Sequence, residues 1–258
     1  MMQMLCMKPE LMLYKEVCLG RFLQSLVSIL YPPVCPMCGR VVQSTGGRSV
    51  ACRDCRRSLM YVGPNHCMKC GKPLDEENGE LCFDCEKTRH VYDQGAAVFQ
   101  YSQGIKQSIY RFKYNGCRDF ADWYGEEMYR ICQEQLKLWT PQVIIPVPLH
   151  VSKERIRGYN QAELIAVELG KRSGIRVDSN ILKRSRATTP MKSLNDQQRS
   201  ENVEKAFIIC QNSIKYRKVI LVDDIYTTGS TIDACARVLK KAGVDKVYCL
   251  SLCVGKGI

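Results

Sequence analysis

The chain has 258 residues, 45% of them hydrophobic and 25% charged, with a formal net charge of +12. That balance belongs to a folded globular protein and excludes a disordered or low-complexity chain. Sixteen cysteines in a chain with no expected secretory leader argue for metal ligation in a reducing compartment, the cytoplasm, rather than for a disulfide scaffold.

Residues 1–31 read as an N-terminal tail ending in a short helix. The apolar stretch at 22–31 is interrupted by Gln24, Ser25 and Ser28 and is too short to cross a bilayer, so no membrane span is expected.

Residues 32–90 carry four C-x-x-C pairs: Cys35 and Cys38, Cys52 and Cys55, Cys67 and Cys70, Cys82 and Cys85. Each pair suits a zinc knuckle, whose tight turn aims two sulfurs at one ion about 2.3 Å away. Gly39 and Gly71 follow the first and third pairs, where such a turn needs a residue that tolerates positive φ. The internal repeat suggests two tandem ribbons holding two zinc ions. One takes Cys35, Cys38, Cys52 and Cys55; the other takes Cys67, Cys70, Cys82 and Cys85. Interleaved pairing and an iron–sulfur cluster are the alternatives. Apolar content between the pairs is low, so metal supplies the folding free energy. On that reading chelation unfolds residues 35–85 and spares the sheet beyond them. Four thiolates and one Zn²⁺ carry −2 per site, so two sites leave the chain at +8, basic enough to favour phosphate-bearing partners.

Residues 91–258 alternate between strand and helix patterns. Strands are predicted at 96–101, 143–147, around 207–210, at 218–223 and at 246–254. Helices are predicted at 104–114, 119–137, 152–171 and 229–242. This order implies an α/β domain with a parallel sheet and flanking helices, preceded by the small zinc-ribbon domain. Ligands bind such sheets at the carboxyl ends of the strands. The helix at 104–114 is expected to bury Tyr110 and Tyr114, although aromatics beside Arg111 and Lys113 also suit base stacking.

The run V-I-L-V-D-D-I-Y-T-T-G-S-T at 219–231 delivers two acids and a small-residue loop to the start of a helix. The glycine permits close backbone approach, and the hydroxyls and unpaired N–H groups can cradle a phosphate. Asp223 and Asp224 would repel that phosphate, so they face ribose hydroxyls, a metal ion or both. A second run, at 146–162, places Lys153, Arg155, Arg157 and Asn160 around an expected helix start. Cations there oppose the helix dipole and point to an anion such as pyrophosphate.

The 219–231 run resembles the phosphoribosyl-diphosphate (PRPP) motif of type I phosphoribosyltransferases. Further blocks occur in order: P-P-x-C-P-x-C-G, the four cysteine pairs, K-Y-x-G-x-x-D at Lys113, and P-V-P-L-H with R-x-R-G-Y-N-Q-A. Together they resemble the ComF family, linked to DNA uptake in naturally competent bacteria. The resemblance implies a double zinc ribbon followed by a type I phosphoribosyltransferase fold. It implies that Asp223 and Asp224 hold the ribose hydroxyls as the catalytic acids. Thr227, Thr228, Gly229, Ser230 and Thr231 would wrap the 5′-phosphate, with magnesium accompanying PRPP. Lys153, Arg157 and Asn160 would complete the PRPP site. A lid at 183–207 would bring Arg184, Arg186 and Lys192 to the pyrophosphate; its Met191 stands where many relatives have glutamine. Two functions follow: phosphoribosyl transfer to an unidentified acceptor, or PRPP sensing by a protein that handles single-stranded DNA alongside other uptake proteins.

Overall fold

The structure, a computed structural model, describes residues 32–43, 48–74, 79–185, 206–210 and 214–255. The expected helix at 22–31 and most of the expected lid, including Arg186, Met191 and Lys192, lie outside them. Two short helices, α1 (Arg53–Arg57) and α2 (Phe83–Lys87), sit in the cysteine-rich segment. Then follow β1 (Gln94–Gln100), α3 (Gln103–Tyr114), α4 (Phe120–Trp139), β2 (Val143–Pro146), α5 (Val151–Arg157) and α6 (Gln161–Ser173). After them come β3 (Leu182–Arg184), β4 (Phe207–Ile209), β5 (Lys218–Tyr226), α7 (Ser230–Lys241) and β6 (Lys246–Val254).

Four strands form one sheet in the order β1-β6-β5-β2, every neighbouring pair parallel. Side chains alternate along β5, so Ile220 and Val222 enter one core while Val219 and Leu221 enter the other. Both faces are covered, which is why this strand reads as an unbroken apolar run. On the first face lie residues of α3, α4 and α6: Ile105, Ile109, Trp123, Tyr124, Met128 and Ile165. On the second, among the described residues, only α7 supplies a long helix. The small antiparallel pair β3–β4 contributes Leu182 and Phe207 beside it.

The cysteine-rich segment completes both cores. Cys35, Met37, Ala51 and Leu59 pack into the first, and Cys67, Cys70 and Cys85 into the second. It also covers the edge of β1: Val62 N donates to Val98 O at 2.9 Å and Gln100 N to Met60 O at 2.8 Å. At Gly71, φ is +76°, and a Cβ would stand 2.8 Å from Ala96 Cα. No side chain fits between ribbon turn and strand. The ribbons therefore share the sheet's cores and its edge, packing that argues against the expectation that chelation spares the sheet.

One helix boundary also differs. The helix expected at 152–171 is two helices, α5 and α6. Gly158, at φ +76°, ends α5, and the Asn160 side chain caps α6 by accepting from Ala162 N. A left-handed glycine followed by an asparagine cap is a strong stop-and-restart signal.

Candidate functional site

β5 continues past the position expected for its end. Asp223, Ile225 and Tyr226 pair with Ser251, Cys253 and Val254 of β6, so both acids lie within the strand. Neighbours on a strand face opposite ways, and the two carboxylates straddle the end of the sheet. Asp224, on the side of α3, meets Lys113: Nζ to Oδ2 is 2.5 Å, with both side chains largely buried. Asp223 lies on the side of Arg184 and Cys235, and its Oδ1 accepts from Asp224 N at 2.8 Å.

Burial and the adjoining Asp224 carboxylate push the Asp223 carboxyl up to about 8. A raised carboxyl binds its proton more tightly when folded than unfolded. The stability this gives is full below about pH 4, the ordinary carboxylate range, and is lost as pH rises through about 8. Asp223→Asn should therefore gain about 1–3 kcal/mol over the wild type between pH 5 and pH 9. Urea unfolding at the two pH values checks this; an unchanged difference contradicts it.

Beyond Tyr226 the chain turns through Thr227 and Thr228, both exposed. Gly229, at φ +79°, is the N-cap of α7. The Thr228 and Ser230 hydroxyls are 2.6 Å apart. Free N–H groups of the first helical turn and the paired Thr228 and Ser230 hydroxyls therefore stand just beyond the acids, a geometry that suits a phosphate.

The four cations come from three elements, α3, α5 and β3. Burial, and then the positive charges of Arg184, Arg157 and Lys113, hold the Lys153 amine below its usual range. Burial likewise lowers Arg184. Arg157 donates to Gln161 Oε1 at 2.7 Å and to the Tyr114 hydroxyl at 3.3 Å, with its guanidinium 5.1 Å from that ring's centre. The break at Gly158 puts Arg157 in the last turn of α5, where the helix dipole favours a cation. For Arg155 and Arg157 the dipole argument for an anion is thus corrected, while Lys153 stays in the first turn of α5. What calls for an anion is the convergence of Lys113, Lys153, Arg157 and Arg184 at one strand end. Asn160 is fully engaged, its amide donating to Val147 O at 3.1 Å while its oxygen caps α6. It ties β2 to the helix behind the site.

Lys113 is the residue that sequence reasoning did not assign to the acids. A lysine in a helix's last turn is ordinary dipole chemistry, so nothing local marks it. The same helix also corrects the tyrosines. It buries Ile105, Ile109 and Phe112, leaving Tyr110 60% and Tyr114 54% exposed. Their rings lie 5.0 Å apart and line a cavity of about 520 Å³ together with Tyr101, Lys106, Arg111 and Lys113.

The cysteines gather as two quartets, Cys35, Cys38, Cys52, Cys55 and Cys67, Cys70, Cys82, Cys85, with sulfurs within 4.8 Å of one another in each. The Sγ atoms of Cys38 and Cys52 are 3.9 Å apart, and those of Cys70 and Cys82 are 3.6 Å apart. A tetrahedron with arms of about 2.3 Å has edges of about 3.8 Å, so both quartets fit zinc. Interleaved pairing is excluded by this grouping.

Comparison with known proteins agrees with the architecture. The double zinc ribbon domain family matches residues 26–86, and the phosphoribosyl transferase domain family matches residues 166–257. The chain is 31% identical over 207 residues to competence protein F of Haemophilus influenzae, covering 76% of this chain and 86% of that one. It is 29% identical over 203 residues to competence protein ComFC of Bacillus subtilis, covering 74% and 78%. Against DNA utilization protein YhgH of Escherichia coli K12 it is 25% identical over 225 residues, covering 86% and 97%. A purine phosphoribosyltransferase structure from Pyrococcus horikoshii overlaps 51% of this chain and 74% of that one, at 18% identity and a TM-score of 0.35. Both domain families occur in the expected order, and the Haemophilus relative spans most of the sequence; the chain belongs to the ComF family of competence proteins.

Proposed function

We infer that the chain binds PRPP at the carboxyl end of β5 and transfers its phosphoribosyl group to an acceptor in the handling of incoming DNA. One observation carries this reading. Two carboxylates, a hydroxyl-bearing loop at a helix start and four neighbouring cations lie at a single strand end. Asp223 and Asp224 would take the ribose hydroxyls, and the 227–231 loop the 5′-phosphate. Lys153, Arg157 and Arg184 would take the pyrophosphate.

Displacement at the ribose C1 builds positive charge on the sugar and negative charge on the departing pyrophosphate, so fixed opposite charges on either side lower the barrier. Lys113 holds Asp224 in the free protein, and sugar binding requires that ammonium to swing aside or share the carboxylate. Magnesium, bound with PRPP, would add charge neutralisation at the pyrophosphate. The carboxylates and the cationic cluster fit such a complex. Cysteines grouped as metal-ligand quartets rather than as disulfides suit a cytoplasmic location.

A second reading is favoured by the exposed Tyr110–Tyr114 pair among Lys106, Arg111 and Lys113. Exposed aromatics with interleaved cations suit single-stranded DNA, and the protein would then sense PRPP while holding the strand. Incubation with PRPP, magnesium and a panel of metabolites and oligonucleotides separates the two. Transfer predicts acceptor-dependent pyrophosphate release, reduced at least about 100-fold in Asp223→Asn/Asp224→Asn. Tight PRPP binding with no release on any acceptor contradicts transfer and supports sensing.

A further inference from the structure

A buried polar chain runs beneath the phosphate loop and is not used by the chemistry above. His90, whose side chain is 1% exposed, donates from Nδ1 to Asp233 Oδ2 at 2.6 Å. The other Asp233 oxygen accepts from Val91 N at 2.6 Å. The His90 Nε2 faces the Tyr226 hydroxyl at 3.5 Å, which is bonded to the Tyr92 hydroxyl at 2.8 Å. Asp233 stands in the first turn of α7, where a free carboxylate would repel a phosphate; both its oxygens are turned inward and engaged. Gly229 rests directly on this floor: a Cβ there would lie 2.5 Å from the Tyr226 hydroxyl and 2.9 Å from His90 Cε1.

The other end of the chain is the second cysteine quartet. Its turn, C-M-K-C-G-K, sends out two lysines on either side of Cys70. Lys69 Nζ donates to Tyr92 O, and to Asp93 O at 3.0 Å. Lys72 Nζ lies 5.9 Å from the centre of the Tyr226 ring and pairs with Asp84 at 2.5 Å. Cys67, Cys70 and Cys85 share a core with Tyr92 and Tyr226. The first quartet is tied instead to α3 and α4, through Gly39 against Arg111 and through Arg48 to Asp122 and Glu126.

We propose that His90 is a positioning residue for the phosphate loop and that, with Tyr92 and Tyr226, it couples this loop to metal occupancy of the second quartet. Zinc there holds the Cys67–Lys72 turn, whose lysines fix Tyr92 and Tyr226, which fix the floor under Gly229. The inference rests on the reading of 227–231 as a sugar-phosphate cradle. Coupling between two sites is reciprocal in binding free energy, so a bound sugar phosphate must raise the zinc affinity of this quartet and not of the first.

The test uses the full chain loaded with two zinc ions. Partition of zinc to a competing chromogenic chelator is measured at equilibrium with and without saturating ribose 5-phosphate, and alkylation mapped by mass spectrometry identifies which quartet has opened. The ion of Cys67, Cys70, Cys82 and Cys85 is expected to be held at least about fivefold more tightly with the sugar phosphate. His90→Ala is expected to remove that protection and to weaken ribose 5-phosphate binding about tenfold, while retaining two zinc ions. Tyr226→Phe, which keeps the ring and loses only the hydroxyl, should move both readouts in the same direction by less. Bound sugar phosphate that leaves both zinc affinities unchanged, or raises them equally, overturns the coupling; so does wild-type protection in both variants. A wild-type chain that binds no ribose 5-phosphate contradicts the cradle reading itself.

Discussion

Stripping the metal from the full chain is expected to melt the sheet together with the ribbons. Structural zinc contributes on the order of 10 kcal/mol to a site that cannot fold without it. Here the ribbon residues are not an appendage. Met37, Ala51 and Leu59 lie in the core under α3 and α4, and Cys67, Cys70 and Cys85 in the core under α7. The 60–62 segment holds the outer edge of β1, and its loss would leave an unpaired strand edge in the remaining sheet. Thermal unfolding with excess chelator should show one transition, lowered by more than about 10 °C. Ribbons that unfold while the sheet keeps its midpoint would contradict the shared cores.

The second large effect is expected at Gly229. Alanine there must adopt φ near +79°, which costs about 1–2 kcal/mol for a residue with a Cβ. It must also displace Tyr226 and His90, both held by hydrogen bonds. The loop is the softer party and shifts off its floor, disordering the N–H groups aimed at the phosphate. Gly229→Ala should lose at least about 30-fold in ribose 5-phosphate affinity, roughly 2 kcal/mol. Gly243 is the control: its φ is +95°, yet nothing stands within 4 Å of its would-be Cβ. Gly243→Ala carries similar backbone strain and should bind as the wild type does. Isothermal titration of the two variants checks both; equal affinities contradict the floor's role.

What could be read from the residues was whatever local spacing dictates. The C-x-x-C repeat specified two quartets because a knuckle turn admits little else, and the β-branched runs ending at acids specified β5 and its loop. The break at Gly158 was also legible, since a glycine and an asparagine cap stand side by side. It was masked because Ala162, Ile165, Ala166 and Leu169 continue a helical stripe beyond it. The exposed tyrosines were a matter of phase: Ile105, Ile109 and Phe112 claim the buried stripe of α3, and Tyr110 and Tyr114 fall off it. The Lys113–Asp224 pair and the His90–Asp233 pair were not legible, since each joins elements more than a hundred residues apart. The union of ribbons and sheet was hidden because the ribbon's apolar contribution is small and partly made of its own cysteines.

The central claim is that the end of β5 is a PRPP site. Calorimetric titration of the full chain with PRPP and magnesium tests it most directly. One PRPP should bind saturably per chain, with binding abolished in Asp223→Asn/Asp224→Asn while the variant stays folded with both zinc ions. No binding by the wild type, or undiminished binding by the double variant, would contradict it.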